Sequence, residues 1–452
     1  MKDFAKRAIH LDFHTMPGIY DVGIDFNGEE FAQTLKNAHV DYITAFARCN
    51  LGFAYYPTKV GIVHPGMKVK DMLGPMISAC HKQGIRVVAY INAGLDHEHA
   101  LLHREWCQVN KEGIIYDVKV GGSFFRHMCL NTGYRQYLLD MIDEVLEMYP
   151  IDGLFLDCFS KNPCYGIECL DGMKKLGMDA SDEQQAIKFT FMKTEEFREE
   201  VISRVRKKNP EAYMCFNGLP YTSHPDHVEI EVLPPDWGYE YFPWTGRYVR
   251  TLNKPFFKMT GRFHKSWGDF GGLRTEESLL FDCYNAVANG ATCSIGDHMH
   301  PRGKLDEEVY KLIGRVYSKI EKLEPWTYGS QPVAEIAILH PATALFPAFF
   351  PPDARRTLPA ATRMLMELKY LFDVIDGESS LSKYRVIIIP EEVFIGAKLK
   401  KKLKQHLEKG GFIISAGTGG LDEKQEKFAL EEYNLLYLGP EEHNPSFFKA
   451  GR

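Results

Sequence analysis

The 452 residues carry a formal net charge of −6, and 45% of them are hydrophobic against 25% that are charged. Such a chain is globular and long enough for a barrel of about 250 residues plus a smaller domain. The acidic balance argues against a nucleic-acid partner, which would favour a basic patch. No apolar run approaches the about 20 residues that a membrane span needs, so we expect no membrane partner.

The N-terminal residues and the cysteines indicate the cellular compartment. No apolar segment of signal-peptide type precedes the first predicted strand. The ten cysteines show no paired CxxC spacing, which favours reduced thiols over a disulfide framework. The sequence therefore predicts a cytoplasmic location.

Short apolar strands alternate with amphipathic helical stretches over roughly the first 330 residues, a pattern typical of βαβ units. The predicted strands are 8–14, 42–48, 86–93, 153–159, 212–217, 228–232, 255–261 and 291–294. The predicted helices between and after them are 29–38, 69–83, 134–148, 182–207, 275–289 and 306–323. Eight strands with intervening helices predict a (β/α)₈ TIM barrel over residues 1–328.

The composition changes after Trp326, where a second α/β pattern begins. Strands are predicted at 333–339, 374–376, 384–390 and 411–416, with helices at 357–372 and 398–409. The sequence therefore predicts a smaller doubly wound α/β domain, flavodoxin-like, over residues 329–452.

Nearly every predicted barrel strand ends on a polar or ionisable residue, while the strand interiors are apolar. These residues are His14, Arg48, Asn92, Asp157, Asn217, Glu231, Arg262 and Asp297. Because reacting groups of TIM barrels lie at the C-terminal ends of the strands, this pattern predicts a polar pocket at one mouth of the barrel.

Asp157 is the leading catalytic carboxylate, because it ends the buried strand GLFLDCF, where an isolated charge is costly unless it meets water or a partner. The alternative is that it only caps the following turn. Glycoside hydrolysis needs a second carboxylate, and Glu231 is the first choice and Glu240 the second. Glu229 and Asp236 stay open as alternatives, and Trp237 is an apolar neighbour suited to raising the pKa of a general acid.

A sugar-binding pocket would also need aromatic faces and groups that hydrogen-bond hydroxyls. The remaining candidates for substrate contact are Arg126, His127, Trp237, His264, Trp267 and His298, besides the strand-end residues His14, Arg48, Asn92, Asn217, Arg262 and Asp297. For many of the aromatic residues, the alternative is a structural role in packing at the barrel rim.

Metal chemistry is the main rival, since Asp96-His97-Glu98-His99 and Asp297-His298-Met299-His300 are rich in ligand-type residues. A barrel metallohydrolase would place His-x-His at the end of strand one, where this chain has LDFHT. We therefore expect no catalytic metal and no cofactor. Cys158 adjoins Asp157, but strand alternation predicts that it points away from the pocket.

The segments RAIHLDFHT, IDGLFLDCF, GRFHKSWGDFGG and GATCSIGDHMHPRG resemble the α-L-fucosidase-related hypothetical glycosyl hydrolases. The second domain resembles the flavodoxin-like trimerisation domain of β-galactosidases, which implies a homo-oligomer. The resemblance implies that Asp157 is the nucleophile of a retaining mechanism. Leu156 and Cys158 depart from the tryptophan or phenylalanine and the glycine that usually flank this aspartate, which bears on the substrate. Relatives look longer, so a missing C-terminal portion is left open.

The sequence thus predicts a retaining exo-glycosidase acting on an α-L-fucoside, with a carbohydrate as its partner. Another hexoside, such as a galactoside, is the first alternative. A non-catalytic carbohydrate-binding barrel and a metal-dependent hydrolase are the others.

Overall fold

The computed structural model describes residues 4–119, 123–340 and 354–439. The chain divides into two compact units. The first comprises Met1–Gly238 and Lys254–Ser330, and the second comprises Tyr239–Asn253 and Gln331–Arg452. The predicted division at 328/329 thus differs from the observed one mainly in the segment Tyr239–Asn253, which the sequence pattern had assigned to the barrel.

The first unit is a nearly closed parallel barrel of eight strands, which confirms the predicted TIM barrel. Its strands are β1 (Arg7–Asp12), β2 (Tyr42–Arg48), β3 (Arg86–Asn92), β4 (Gly153–Asp157), β5 (Tyr213–Phe216), β6 (Val228–Glu231), β7 (Phe256–Gly261) and β8 (Thr292–His298). They are hydrogen-bonded in the order β6-β7-β8-β1-β2-β3-β4-β5, each parallel to its neighbours. Short strands in the loops after β2 and β3 are Phe53–Ala54, Ile62–Val63, Asp117–Lys119 and Ser123–Arg126.

The helices follow the predicted alternation, with side-chain caps at most of the long ones. They are α1 (Gly28–Asn37), α2 (Leu73–Lys82), α3 (His97–Leu102), α4 (Gly133–Met148), α5 (Ile167–Lys175), α6 (Glu183–Lys208), α7 (Pro234–Trp237), α8 (Tyr241–Val249), α9 (Glu276–Ala288), α10 (Glu307–Glu321), α11 (Glu324–Thr327), α12 (Ala354–Glu367) and α13 (Ala397–Glu408). Asp182 and Asp306 show the rule: each accepts a backbone N–H of the first turn and fixes where its helix begins. Over the described residues, no helix is both long and apolar enough to cross a membrane.

The end of β4 is held by a close backbone approach. Cys158 follows the strand with φ of +62°, in the left-handed region, so the chain turns sharply after Asp157. The Cys158 carbonyl oxygen lies against Gly94, where an added Cβ would come within 1.6 Å of it. Only glycine fits at position 94, and the two loops after β3 and β4 are thereby fixed to each other.

The second unit contains a four-stranded parallel sheet, which confirms the predicted doubly wound domain. Its strands are β9 (Ile336–Leu339), β10 (Phe372–Ile375), β11 (Val386–Ile389) and β12 (Phe412–Ser415). Their order is β10-β9-β11-β12, the strand order with which flavodoxin-like sheets begin. The buried core includes Ile387, Ile389 and Leu403, from β11 and α13.

Candidate active site

Two carboxylates meet at one amide group at the C-terminal ends of neighbouring strands. Asn217 follows β5, and its Nδ2 donates to Asp157 Oδ1 at 2.9 Å and contacts Glu231 Oε2 at 3.4 Å. Asp157 ends β4 and Glu231 ends β6. The barrel therefore brings together three of the residues predicted from strand ends.

Asp157 accepts three hydrogen bonds that hold its carboxylate in place. Besides Asn217, the Tyr90 hydroxyl donates to Oδ2 at 2.6 Å and the Cys158 backbone N–H donates to Oδ1 at 2.7 Å. Burial and the charge of Asp157 raise the pKa of Tyr90 well above its usual range, so this phenol keeps its proton and remains a donor. The carboxylate is thus oriented and half-buried, with its charge stabilised by fixed donors.

Glu231 has a different environment from Asp157. Burial and the nearby charge of Asp157 raise the pKa of Glu231 to about 7, against the smaller opposite effect of hydrogen bonds from Trp267 and Asn217. The Trp267 indole N–H donates to Glu231 Oε1. Trp267 reaches this position because β8 carries Gly296, where an added Cβ would lie 2.2 Å from the indole. Two carboxyl groups in different surroundings therefore share one amide.

A third carboxylate, Asp12, connects two histidines at the end of β1. Its oxygens lie 3.1 Å from His14 Nε2 and 3.0 Å from His298 Nε2. Although burial opposes the charged imidazolium, Asp12 raises the pKa of His14 to about 10. The His14 ring also packs edge-on against Phe46 and Tyr90, so it lies on the same side of the barrel as the Asp157 donor.

Aromatic rings line the barrel interior beside these groups. Phe46 and Tyr90 stack with ring centroids 3.8 Å apart, and His10 packs edge-on against Tyr90 and Phe155. Burial lowers the pKa of His10, which favours a neutral ring there. Tyr90, Asp12 and His10 were absent from the sequence prediction. Tyr90 precedes Asn92 by two residues, so period-2 alternation along β3 could have placed both on one face.

Arg48 and Asn92, both predicted to contact substrate, are instead fully enclosed. The Arg48 guanidinium donates to the Asn92 carbonyl and to the Asp96 carboxylate, and no part of its side chain is exposed. The Asn92 amide donates to the Tyr90 hydroxyl at 2.9 Å and to Cys158 Sγ at 3.3 Å. These two side chains therefore support the groups around Asp157 and do not themselves reach an open surface.

Replacing Arg48 by alanine should lower the free energy of unfolding by about 3–5 kcal/mol, because Asp96 would keep a buried charge after losing its main partner. Denaturant unfolding of the full chain measures this loss. Arg363→Ala is the matched control, since Arg363 pairs with Glu240 at 3.4 Å on an exposed surface, where the loss of an ion pair should leave the free energy of unfolding nearly unchanged. Equal losses in the two variants would contradict a structural role for the Arg48–Asp96 pair.

The segment GRFHKSWGDFGG forms a loop held by Arg262. Its guanidinium donates to Asp297 Oδ1 at 2.8 Å and to the Phe270 carbonyl at 2.8 Å, and the side chain is buried. Asp297 is buried as well, within β8, while His264 is exposed. Of the substrate contacts predicted from this loop, Trp267 is the one that the structure brings to Glu231.

The remaining predicted residues lie elsewhere or outside the described side chains. Glu240, the second choice for the acid/base, belongs to the second unit, is exposed and pairs with Arg363 of that unit. Arg126 and His127 are half-buried in the loop after β3. Trp237 ends α7, and its side chain lies outside the described residues.

The structure also shows where the other candidates for the acid/base carboxylate lie. Glu229 lies two residues deeper on β6 and is buried, with His227 Nε2 3.3 Å from its Oε1. Asp236 is exposed in α7. Of the four carboxylates considered, Glu231 is the one that contacts Asn217.

The two segments that are rich in possible metal ligands, Asp96–His99 and Asp297–His300, contact other residues of the chain. Asp96 caps α3 by accepting the His99 backbone N–H at 2.9 Å and pairs with Arg48. Asp297 pairs with Arg262, and His298 pairs with Asp12. Each of these carboxylates thus already has a cationic or imidazole partner within the chain.

Known proteins share both the sequence and the fold. Residues 27–158 match the family model described as hypothetical glycosyl hydrolase 6. The α-L-fucosidase isoenzyme 2 from Paenibacillus thiaminolyticus is 32% identical, with a TM-score of 0.89 over 94% of this chain. The chain spans 66% of that fucosidase's length, just under two thirds. No curated protein sequence matches the chain.

Two β-galactosidases share the fold alone. That of Bacillus circulans sp. alkalophilus is 15% identical, with a TM-score of 0.70 over 97% of this chain and 74% of its own. That of Rahnella sp. R3 is 17% identical, with a TM-score of 0.67 over 92% of this chain and 71% of its own. The chain is therefore similar to glycoside hydrolases: residues 27–158 match the hypothetical glycosyl hydrolase 6 family, and 94% of the chain matches an α-L-fucosidase.

Proposed function

We propose that the chain is a retaining exo-glycosidase in which Asp157 is the nucleophile and Glu231 the general acid/base. The observation that carries this proposal is the shared amide of Asn217. Asn217 Nδ2 lies 2.9 Å from Asp157 Oδ1 and 3.4 Å from Glu231 Oε2. The distance between these two oxygens therefore cannot exceed the sum of the two contact distances. That upper limit for the nearest oxygen pair lies just below the about 6.5–9.5 Å of inverting enzymes and permits the about 5–5.5 Å of retaining ones.

The different surroundings of the two carboxyl groups support different catalytic roles for Asp157 and Glu231. Asp157, held by three donors, attacks the anomeric carbon as a carboxylate and forms a glycosyl ester. Glu231, whose pKa is raised to about 7, donates its proton to the leaving glycosidic oxygen. The Glu231 carboxylate then takes a proton from water, which attacks the same carbon and releases Asp157.

The partly exposed groups around the carboxylates are proposed to orient the sugar. His14, His298 and Asn217 are polar and only partly enclosed, and Trp267 offers an aromatic face. Arg48, Asn92, Arg262 and Asp297 are buried and are proposed to act through the residues they hold. A protonated His14 would donate a hydrogen bond to a sugar hydroxyl at neutral pH, because its pKa is raised to about 10.

The proposed substrate is an α-L-fucoside, because the 32% identical protein with the same fold is an α-L-fucosidase. A galactoside is the alternative. A cytoplasmic location and a homo-oligomeric state stay predictions of the sequence.

A panel of aryl glycosides tests the proposal directly. We expect the full chain to hydrolyse aryl α-L-fucoside with a kcat/KM at least about tenfold above that of any other sugar in the panel. The anomeric configuration of the first product, followed by proton NMR, should be that of the substrate. Inversion would overturn the retaining mechanism, and sugar binding without hydrolysis of any glycoside would favour a binding module.

A further inference from the structure

Three cysteines that the sequence spacing does not pair come together in the first unit. Cys129 precedes α4, Cys164 lies in the loop after β4, and Cys169 lies in α5. Their sulfur atoms all lie within 4.8 Å of one another, and the Sγ atoms of Cys129 and Cys169 are 3.4 Å apart. All three side chains are at least nine-tenths buried. We call this group the three-thiol cluster.

The spacing of the three-thiol cluster fits a single soft cation. Zinc binds thiolates at about 2.3 Å in a tetrahedral arrangement, which places neighbouring sulfurs on the order of 4 Å apart. Thiolate ligands select zinc and other soft metals over magnesium or calcium. Without a cation, three thiols would face one another with only weak hydrogen bonds between them.

The surroundings of the cluster offer a further ligand position. Asn131 Nδ2 donates to Cys169 Sγ at 3.8 Å, as it would to a thiolate. A cavity of about 10 Å³, enough for about one water molecule, is lined by Cys129, Cys169, Asn131 and Gln108. The Gln108 side-chain oxygen Oε1 is buried there and has no hydrogen-bond partner among residues 4–119, 123–340 and 354–439. An unsatisfied buried oxygen beside a small cavity is costly unless a water or ligand occupies it.

We propose that Cys129, Cys164 and Cys169 bind one zinc ion, with a water molecule in the fourth position. Binding releases the thiol protons to solvent as the three Zn–S bonds form. The ion joins the segment before α4 to the segment that follows Asp157. Its role is structural: it fixes the chain just beyond the proposed nucleophile, and it takes no part in sugar chemistry.

Metal content of the full chain tests the site independently of any glycosidase activity. The protein is purified from zinc-supplemented cells, dialysed against metal-free buffer and measured by plasma mass spectrometry. We expect about one zinc per chain, and loss of stoichiometric zinc in Cys164→Ala and Cys129→Val. Cys80→Ala is the matched control, since Cys80 is equally buried in α2 and lies outside the cluster; it should keep its zinc.

Cobalt substitution tests whether thiolates bind the metal. Cobalt added in place of zinc should give the near-ultraviolet sulfur-to-metal charge-transfer band of a thiolate site, and Cys164→Ala should remove this band. Circular dichroism of each variant shows whether it is folded. A folded wild-type chain without stoichiometric zinc and without the cobalt band would overturn the proposal, as would an isolated Cys129–Cys169 disulfide in place of bound metal. Zinc retained equally by Cys164→Ala and Cys129→Val would also overturn it.

Discussion

Replacing Asp157 by asparagine should lower kcat on an aryl α-L-fucoside by about 10⁴-fold or more, because an amide cannot form the glycosyl ester proposed for Asp157. The asparagine keeps the size of the side chain, and its amide oxygen can still accept from Asn217 and from the Cys158 backbone N–H, so the barrel should stay folded. Initial rates with wild-type and variant protein of matched purity measure the loss.

The matched control for this variant is Asp140→Asn. Asp140 is an exposed aspartate on α4 whose side chain accepts from Gln136. We expect its activity to stay within about twofold of wild type. Asp157→Gly adds a second readout, because azide can enter the space left by the carboxylate and attack the same carbon. Azide should restore part of the activity, and the expected product is a glycosyl azide of inverted configuration. Unchanged hydrolysis in either Asp157 variant would refute the nucleophile assignment.

Replacing Glu231 by glutamine should change the pH profile as well as the rate. The raised pKa of about 7 keeps this carboxyl protonated below neutral pH and ionised above it. Because the proposed first step takes a proton from Glu231, kcat/KM of the wild-type protein should fall as the pH rises through about 7. The glutamine cannot donate a proton, so the basic limb should vanish, and a substrate with a poor leaving group should lose about 10²–10⁴-fold in rate.

The leaving group distinguishes an acid from a residue that only holds the sugar. A dinitrophenyl fucoside needs little protonation, so Glu231→Gln should form its glycosyl ester at nearly the wild-type rate in a burst experiment. Glu240→Gln is the control, since Glu240 is exposed and belongs to the second unit. The assignment would fail if Glu240→Gln lost the basic limb and Glu231→Gln kept it.

The fold could be predicted from the sequence because the buried strands and the amphipathic helices differ so strongly in pattern. β4 reads as an apolar run ended by one carboxylate, and the structure ends the strand at Asp157. Strand β8 was predicted as 291–294 but runs as Thr292–His298. Its polar C-terminal half resembles a loop in sequence, yet the barrel encloses Asp297 with Arg262.

The site could be predicted only as far as strand ends reveal it. Asp157, Asn217 and Glu231 lie where parallel strands end, so their proximity follows from the fold. The contact of Trp267 with Glu231 depends on the missing side chain of Gly296 in another strand, which no local pattern shows. Strand alternation likewise predicted that Cys158 points away, but its left-handed φ of +62° ends the alternation and puts its sulfur beside the Asn92 amide.

The role of Arg48 illustrates why residue type alone overstates a site. A strand-end arginine suggested a sugar contact, but a buried guanidinium must satisfy its donors within the protein. Here the Asn92 carbonyl and the Asp96 carboxylate accept from its two terminal nitrogens. Partners that lie 44 and 48 residues away along the chain become visible only after folding.

The second unit is made of two separate stretches of chain. The segment Tyr239–Asn253 joins it through Arg250, which donates to Asp373 at 2.9 Å, and Arg247, whose guanidinium lies 4.5 Å from the centre of the Phe372 ring. A gene fragment encoding 331–452 alone would lack both arginines and leave the Asp373 carboxylate short of a partner. Removing the whole second unit would therefore take two excisions and a new turn joining residue 238 to residue 254, and a single truncation at 330 would leave part of it behind.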